Sequence, residues 1–259
     1  MPRRRRTPLL AALALTAVAL ATSGCLGLPD PDPQPRPTLA TSRPSPTASP
    51  AKDELVAALG RLVAGPYRYH VQSNLPEPTS GTVDATGAYD HDAKLIDESV
   101  TLAGGRSDGF VHRLVVDHDL YTRTRESDKW IHLDLTRARA PEMHAPNLDD
   151  PTGLASFITT IAEATRTGPH SFKGRFDPHS SKPFMPIGYP GVVAFMIDTV
   201  PFTAETDDQG NVTSIHMELE IKDKPKLDMT TTFSDHGKPL GLSRPARNKT
   251  SEAAGLYYK

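Results

Sequence analysis

Alternation of apolar and polar side chains over residues 67–135 is the feature that most constrains the fold of this chain. Successive side chains of a β-strand point to opposite faces, so an alternating run indicates a strand with one buried face. Links of about three polar residues, such as Asp117-His118-Asp119, separate the runs, and hairpins use connections of this length. The pattern predicts an antiparallel meander with strands at 67–74, 81–89, 94–103, 109–116, 120–125 and 129–135.

Two amphipathic helices interrupt the predicted strands. The first lies between Pro50 and a Gly-Pro stop at 65–66, and the second between Pro151 and a Gly-Pro stop at 168–169. Their apolar faces, spaced three and four residues apart, consist of Leu55, Leu59, Leu62 and Val63 in the first helix and Leu154, Phe157, Ile158 and Ile161 in the second. The apolar run at 192–197 is too short for its periodicity to distinguish a helix from a strand, and we interpret it as a short helix.

Further alternating runs complete a single α+β domain over residues 51–240, with about nine antiparallel strands. These runs lie at 170–176, 200–205, 212–222 and 226–233. A sheet with one apolar face must cover that face, and the amphipathic helices are the available cover. We therefore expect a strongly curved antiparallel sheet with two or three helices packed on its concave side. Residues 241–259 lack periodicity and are predicted to form a flexible tail.

Residues 1–24 have the layout of an export signal. Arginines at 3–6 precede an apolar run at 9–21, and Ser23-Gly24 stand directly before Cys25, the single cysteine. The run is well short of the ~20 residues that cross a bilayer as a helix. This segment resembles a bacterial lipoprotein signal, in which Cys25 becomes the lipid-bearing first residue of the mature protein. A simple secretory signal with an incidental cysteine is the alternative, and the export route, general secretory or paired-Arg, stays open.

A proline-rich segment follows the cysteine. Residues 29–50 contain eight prolines and almost no large apolar side chain. Such a segment cannot bury a core and favours an extended polyproline conformation. We interpret residues 25–50 as a lipidated cysteine and a tether, with a proline-rich docking motif as the alternative.

Charge and cysteine content exclude two classes of protein. Removal of residues 1–24 leaves 25 Lys and Arg against 31 Asp and Glu, a net charge of −6. An acidic chain without a basic block is a poor candidate for nucleic-acid binding. One cysteine cannot form an internal disulfide, so the domain must be held by its core.

The sequence motifs give no indication of catalysis or of a closed metal site. The chain lacks a Gly-x-Ser-x-Gly elbow and a phosphate-cradling glycine loop. The ten histidines have no Cys/His pattern or helical His-x-x-x-His spacing, and Asp117, His118 and Asp119 offer at most a weak surface site. We therefore predict a protein that is not an enzyme and that needs no cofactor or metal.

Three short motifs occur at fixed places in the order of the elements. They are Asp119-Leu120-Tyr121 nine residues before Trp130, Asp150-Pro151-Thr152-Gly153-Leu154 at the start of a helix, and Val200-Pro201 leading a strand toward Gly210. Together with the order of cysteine, tether, helices and strands, they resemble the actinobacterial LppX/LprG-type lipoproteins, which share their fold with the LolA and LolB carriers. The resemblance implies a half-barrel that holds acyl chains of lipid or glycolipid between its sheet and its helices.

The leading hypothesis is a lipoprotein anchored through Cys25 at the outer face of the bacterial cell membrane, whose half-barrel binds lipid acyl chains and could carry lipid. The alternative is a non-catalytic envelope scaffold or signalling lipoprotein with a filled core that binds a protein partner. The candidate cavity residues are Val100, Leu102, Val111, Val115, Ile131, Leu133, Leu154, Phe157, Ile158 and Ile161. Polar side chains that could also face the cavity are Thr122, Thr124, His112 and His132. Trp130 is interpreted as packing at the sheet edge, with ligand contact as the alternative.

Overall fold

Two helices form in the amphipathic segments of the sequence, and a large sheet forms from the segments with alternating side chains. The computed structural model describes residues 50–75, 81–105, 108–147, 149–179, 198–220 and 226–259. Helix α1 is Pro50–Val63 and helix α2 is Leu154–Thr160. The run at 192–197, predicted to be a short helix, lies outside the described residues. No helix in the described ranges is both long and apolar enough to span a bilayer.

Twelve strands of the described chain belong to one open, curled sheet. The strands are β1 Tyr67–Leu75, β2 Gly81–Asp90, β3 Leu95–Ala103, β4 Gly109–Val116, β5 Asp119–Arg123, β6 Trp130–Asp134, β7 Ile161–Arg166, β8 Ser171–Phe176, β9 Val200–Thr206, β10 Val212–Leu219, β11 Leu227–Ser234 and β12 Thr250–Glu252. Their order in the sheet is β12-β6-β5-β4-β3-β2-β1-β11-β10-β9-β8-β7. The predicted α+β class is confirmed, with two helices in the described residues.

Pairing is antiparallel throughout except between β12 and β6, which run parallel. Two sequential meanders, β1 to β6 and β7 to β11, meet where β1 pairs with β11. The β-strands predicted from the alternation all form. The two strands beyond that prediction are β7 and β12, which lie at opposite edges of the sheet.

The inner face of the sheet, on which both helices pack, carries the buried side chain of every second residue. A row of apolar side chains crosses this face from β1 to β6 in register, with no member more than 6% exposed. Its members are Tyr67, Tyr89, Ile96, Val115, Leu120 and Leu133. Leu135 and Ala138, in the chain after β6, join the same buried cluster.

The helices fill the inner face over the second meander. Leu55 and Leu59 of α1 are fully buried, and α1 contacts α2, β7 and β10. Phe157 of α2 is also fully buried, with its ring 5.1 Å from each of the rings of Phe176 and Phe202 in edge-on contact. This half of the sheet therefore has a packed aromatic core.

Helix α2 is shorter than predicted, because residues 161–166 form strand β7 instead of the last turns of the helix. Ile161, which the sequence assigned to the apolar face of the helix, is buried in the strand together with Ala164, three residues later. A register irregularity between Ile161 and Glu163 accounts for this spacing, since a β-bulge adds a residue and shifts the alternation of the strand. Ile161 consequently packs from the sheet and not from the helix.

The C-terminal tail is not flexible as predicted but packs against the sheet. Thr250–Glu252 adds β12 alongside β6, and the backbone N–H of Ala253 donates to the carbonyl of His132 over 2.8 Å. Upstream, Arg68 donates to the carbonyl of Leu240, whose side chain is buried. The tail is therefore held in place by contacts with residues far away in the sequence, although its own sequence has no apolar periodicity.

Candidate functional site

An open groove of about 590 Å³ lies on the inner face of the first meander, beyond the part that the helices cover. Its floor is formed by β4, β5 and β6, and its walls by the turn at Pro141–Met143 and the chain that follows β12. The volume falls within the range of about 300–1,000 Å³ that small-molecule sites occupy. The lining residues are Arg113, Leu120, Thr122, Arg123, Thr124, Asp128, Lys129, Ile131, Leu133, Met143, His144, Ala253 and Tyr257.

Exposed apolar side chains concentrate at this groove. Ile131 is 44% exposed, Met143 79% and Tyr257 40%, and all three line it. In the described parts of the chain, the other large apolar side chains with comparable exposure are Leu102 and Leu256. Exposed apolar patches on folded proteins mark sites that bind ligands, proteins or membranes. The groove is therefore the strongest candidate binding site in the described structure.

A row of mostly polar residues crosses the inner face next to the buried apolar row. This polar row consists of Tyr69, Gly87, Glu98, Arg113 and Thr122, which lie opposite one another in neighbouring strands from β1 to β5. In it, Arg113 Nη1 donates to Glu98 Oε2 over 2.9 Å. The Glu98 side chain is 9% exposed, whereas that of Arg113 is 34% exposed and lines the groove.

The far end of the polar row is closed by Tyr69. Its hydroxyl is buried and has no hydrogen-bond partner among the described residues. Burial raises the pKa of Tyr69 well above its usual value, and the charge of Glu98 adds to this effect. The ring lies over Gly87, where a Cβ would stand 2.3 Å from Tyr69 Cζ, so glycine is required at this position.

The candidate cavity residues fall into three groups in the structure. Ile131 and Leu133 line the groove. Leu102 is exposed and Val100 and Val111 are half-buried farther along the inner face, where Val100 also contacts the core. The others belong to the packed core or contact it, and therefore do not line an open space; they are Val115, Leu154, Phe157, Ile158 and Ile161.

Of the polar candidates, only the threonines face the groove. Thr122 and Thr124 line it, whereas His112 and His132 alternate with the inward residues and lie on the opposite, outer face. There His112 contacts Asp97 over 2.6 Å and the ring of Trp130 at 4.7 Å. The guanidinium of Arg123 stacks on Trp130 at 4.6 Å. Trp130 therefore packs on the outer face, near the edge of the sheet.

On the outer face of the sheet, His132 links the C-terminal segment, which forms one wall of the groove, to the neighbouring strands. Its Nε2 lies 2.9 Å from Asp119 Oδ1 and its Nδ1 2.8 Å from Glu252 Oε2. Burial alone lowers the pKa of His132, but the hydrogen bonds to Glu252 and Asp119 outweigh this effect and raise it above the usual value. Because Glu252 belongs to β12, the imidazole of His132 links β12 to β5 and β6.

Arg244 adds a second link between the C-terminal segment and the sheet. Its Nε donates to Asp119 Oδ2 and its Nη2 to Asp117 Oδ2, both over 2.9 Å. The two carboxylates considered for a surface metal site with His118 are thus paired with a guanidinium.

One other group of potential metal ligands occurs among the described residues. His216, Glu218 and Asp228, on the outer face of β10 and β11, place ligand atoms within 4.8 Å of one another. These side chains already have partners, since Glu218 pairs with Lys226 and His216 hydrogen-bonds to Thr230. The sequence-based prediction of a protein without a metal stays a prediction.

Comparison with known proteins finds similarity only among solved structures, since neither a family model nor a curated protein matches. An uncharacterized conserved protein from Thermus thermophilus shares 8% identity at a TM-score of 0.39, over 78% of this chain and 98% of that one. The Mycobacterium tuberculosis lipoprotein LppX shares 10% sequence identity at a TM-score of 0.38, and the match covers 74% of this chain and 99% of LppX. A LolA superfamily protein from Nitrosomonas europaea shares 11% sequence identity at a TM-score of 0.26, and the match covers 78% of this chain and 96% of that one. Both groups named by the sequence resemblance are thus among the structures that this chain resembles.

Proposed function

We propose that this chain is a lipoprotein anchored through Cys25 whose half-barrel binds the acyl chain of a lipid in the inner-face groove, without catalysing a reaction. The observation that carries the proposal is the concentration of exposed apolar side chains at one open groove, with Ile131, Met143 and Tyr257 around it. A folded protein leaves such side chains in water at a cost, which a bound chain would remove.

The energetics of the groove suit a flexible apolar ligand. Each buried CH₂ group contributes about 0.8 kcal/mol, so a chain of eight buried carbons would gain roughly 6 kcal/mol before the cost of its ordering. Leu120 and Leu133 provide a buried floor and Met143 an adaptable wall, because a thioether side chain adjusts to irregular shapes.

The alternative, a scaffold with a filled core, agrees less well with the distribution of packing. The helices fill the inner face over the second meander, where Phe157 is fully buried. Over the first meander they leave a groove with exposed apolar walls. An open groove of this kind is expected of a site that holds a lipid chain and not of a half-barrel filled by its own helices.

A neutral apolar probe tests this proposal. N-phenyl-1-naphthylamine, whose fluorescence rises in apolar surroundings, is titrated into the chain from residue 25 with Cys25→Ser. Ile131→Arg places a charge in the groove and should reduce the enhancement at least tenfold. Leu256→Ser removes an exposed apolar side chain that does not line the groove and should leave the enhancement unchanged. A folded chain that gives no enhancement, or equal loss in both variants, would refute lipid binding at the groove.

The anchor is tested separately. Mass spectrometry of the mature protein should find an N-terminal peptide beginning at a diacylated Cys25, and Cys25→Ser should release the protein from the membrane fraction. An unmodified Cys25 thiol in the mature chain would contradict the proposal and favour a simple secretory signal.

A further inference from the structure

The lining of the groove combines apolar side chains with hydrogen-bond donors. Arg113, Thr122, Thr124 and Lys129 all present donor groups in its lining, and Asp128 is the one carboxylate there. A bare hydrocarbon that covered these donors would remove them from water without giving them a partner, which costs free energy. The donors therefore indicate a ligand that brings acceptor oxygens.

The residues that line the groove carry more positive than negative charge, whereas the whole protein has a net negative charge. Arg113 and Lys129 are cationic lining residues, against the single carboxylate of Asp128; Arg123 also lines the groove, but its guanidinium stacks on Trp130 at the outer face. The complete chain has 29 basic and 31 acidic groups and a net charge of −2. A local excess of cations in an acidic protein favours an anionic ligand at that place.

Arg113 has the geometry of an anchor for an acceptor. A guanidinium offers five N–H donors in a planar fork, and the hydrogen bond found for Arg113 uses one of them on Glu98. Glu98 is almost buried, so it holds the guanidinium at the inner face and restricts its motion toward solvent. The other donors of Arg113 have no partner among the described residues, and a third of the Arg113 side chain is exposed beside the groove.

The carboxylate of Glu98 is almost buried, whereas a third of the Arg113 side chain is exposed. Ion pairs that take a charge out of water often add little stability over apolar residues of the same shape, so this pair calls for a role other than stability. Recognition of a polar head provides that role.

We propose that the groove selects amphiphiles with an anionic head, a long-chain carboxylate or a lipid phosphate, and that Arg113 binds the head while the chain lies along Ile131 and Leu133. This inference rests on the proposed function and specifies its class of ligand. Arg113 and Lys129 then discriminate an anionic lipid from a neutral one of equal chain length.

Competition against the neutral probe tests the selection. Palmitate, hexadecyl phosphate, hexadecanol and methyl palmitate are compared below their aggregation concentrations on the chain from residue 25 with Cys25→Ser. The two anions should displace the probe at concentrations about tenfold to a hundredfold lower than the neutral chains, the range expected of a charged hydrogen bond. Equal displacement by all four would overturn the charge selection and leave lipid binding intact, whereas failure of all four would refute lipid binding itself.

Variants of Arg113 and Glu98 test whether this ion pair causes the preference for anionic ligands. Arg113→Gln combined with Glu98→Gln removes both charges without leaving a buried carboxylate, and should abolish the preference for palmitate over methyl palmitate. Lys129→Gln should reduce it several-fold, and Lys173→Gln, on the outer face of β8, should not change it. A preference that persists in the double variant would overturn the assignment to Arg113. Displacement by inorganic phosphate or acetate alone would indicate a site for a soluble anion and would also overturn it.

Discussion

Replacing His132 by glutamine should loosen the C-terminal wall of the groove while leaving the rest of the sheet folded. The imidazole side chain is 20% exposed and bridges Asp119 and Glu252 at 2.9 and 2.8 Å. A hydrogen bond to a charged group contributes about 1.5–3 kcal/mol when buried, and less for Glu252, whose side chain is 56% exposed. We expect a loss of about 2 kcal/mol, which is a roughly thirtyfold rise in the opening of β12.

Amide hydrogen exchange of residues 250–258 measures that opening. The rate, corrected for intrinsic exchange, should rise about thirtyfold in His132→Gln relative to the unchanged protein, while β1 and β11 keep their protection. His216→Gln, another outer-face histidine bonded to a threonine, is the matched control and should leave β12 unaffected. Unchanged protection of β12 in His132→Gln, or an equal loss throughout the sheet, would show that the imidazole does not hold this wall.

The same contact has a defined pH dependence. Because folding raises the pKa of His132, its stabilisation is fully present below the usual histidine pKa of ~6.5 and is lost as pH rises through the raised value. The pKa of Asp119 is lowered, because the hydrogen bonds from His132 and Arg244 outweigh the effect of burial, so its contribution disappears as pH falls below the usual carboxyl range. Protection of β12 should therefore be greatest at mildly acidic pH. A continuous gain in protection toward pH 9 would refute this reasoning.

Three further substitutions test the packing. Phe157→Ala should cost about 3–5 kcal/mol and lower the Tm by roughly 6–20 °C in a thermal melt, since the ring is fully buried; a loss below 1 kcal/mol would contradict the packed core. Gly87→Ala should cost at least about 3 kcal/mol in urea unfolding because its Cβ would meet the ring of Tyr69, whereas Gly109→Ala, with open space around it, should be nearly neutral; equal effects would exclude the clash. Arg244→Gln should increase exchange at residues 250–258 in the same direction as His132→Gln, and an unchanged rate would exclude it from the tail contact.

The alternation of side chains predicted much of the fold because each strand of the first meander has one buried face. Its failure at Ile161 has a local cause, a bulge that changes the period of the strand. The failure at the tail has a distant cause, since the contacts of Arg244 and Glu252 involve residues more than a hundred positions earlier. A pattern within one segment contains no information about such partners.

The candidate site was only partly predictable for a similar reason. Ile131 and Leu133 stand at inward positions that the alternation identifies, and both line the groove. The pair of Glu98 and Arg113 was missed, although each breaks an otherwise apolar inward series in its strand, as Arg113 does between Val111 and Val115. That interruption was the available signal, but its meaning depends on the register that brings the two charges together.

The pairing of β1 with β11 has a consequence for the synthesis of this chain. Arg68 lies opposite Ser234, so one edge of β1 finds its partner only after nearly the whole domain has been made. Until then β1, which contains two tyrosines and a valine, can pair with the same strand of another nascent molecule. Long-range strand pairing of this kind is also slow to form. The yield of folded protein should therefore depend on how soon β11 becomes available, and a chain shortened before residue 227 should aggregate.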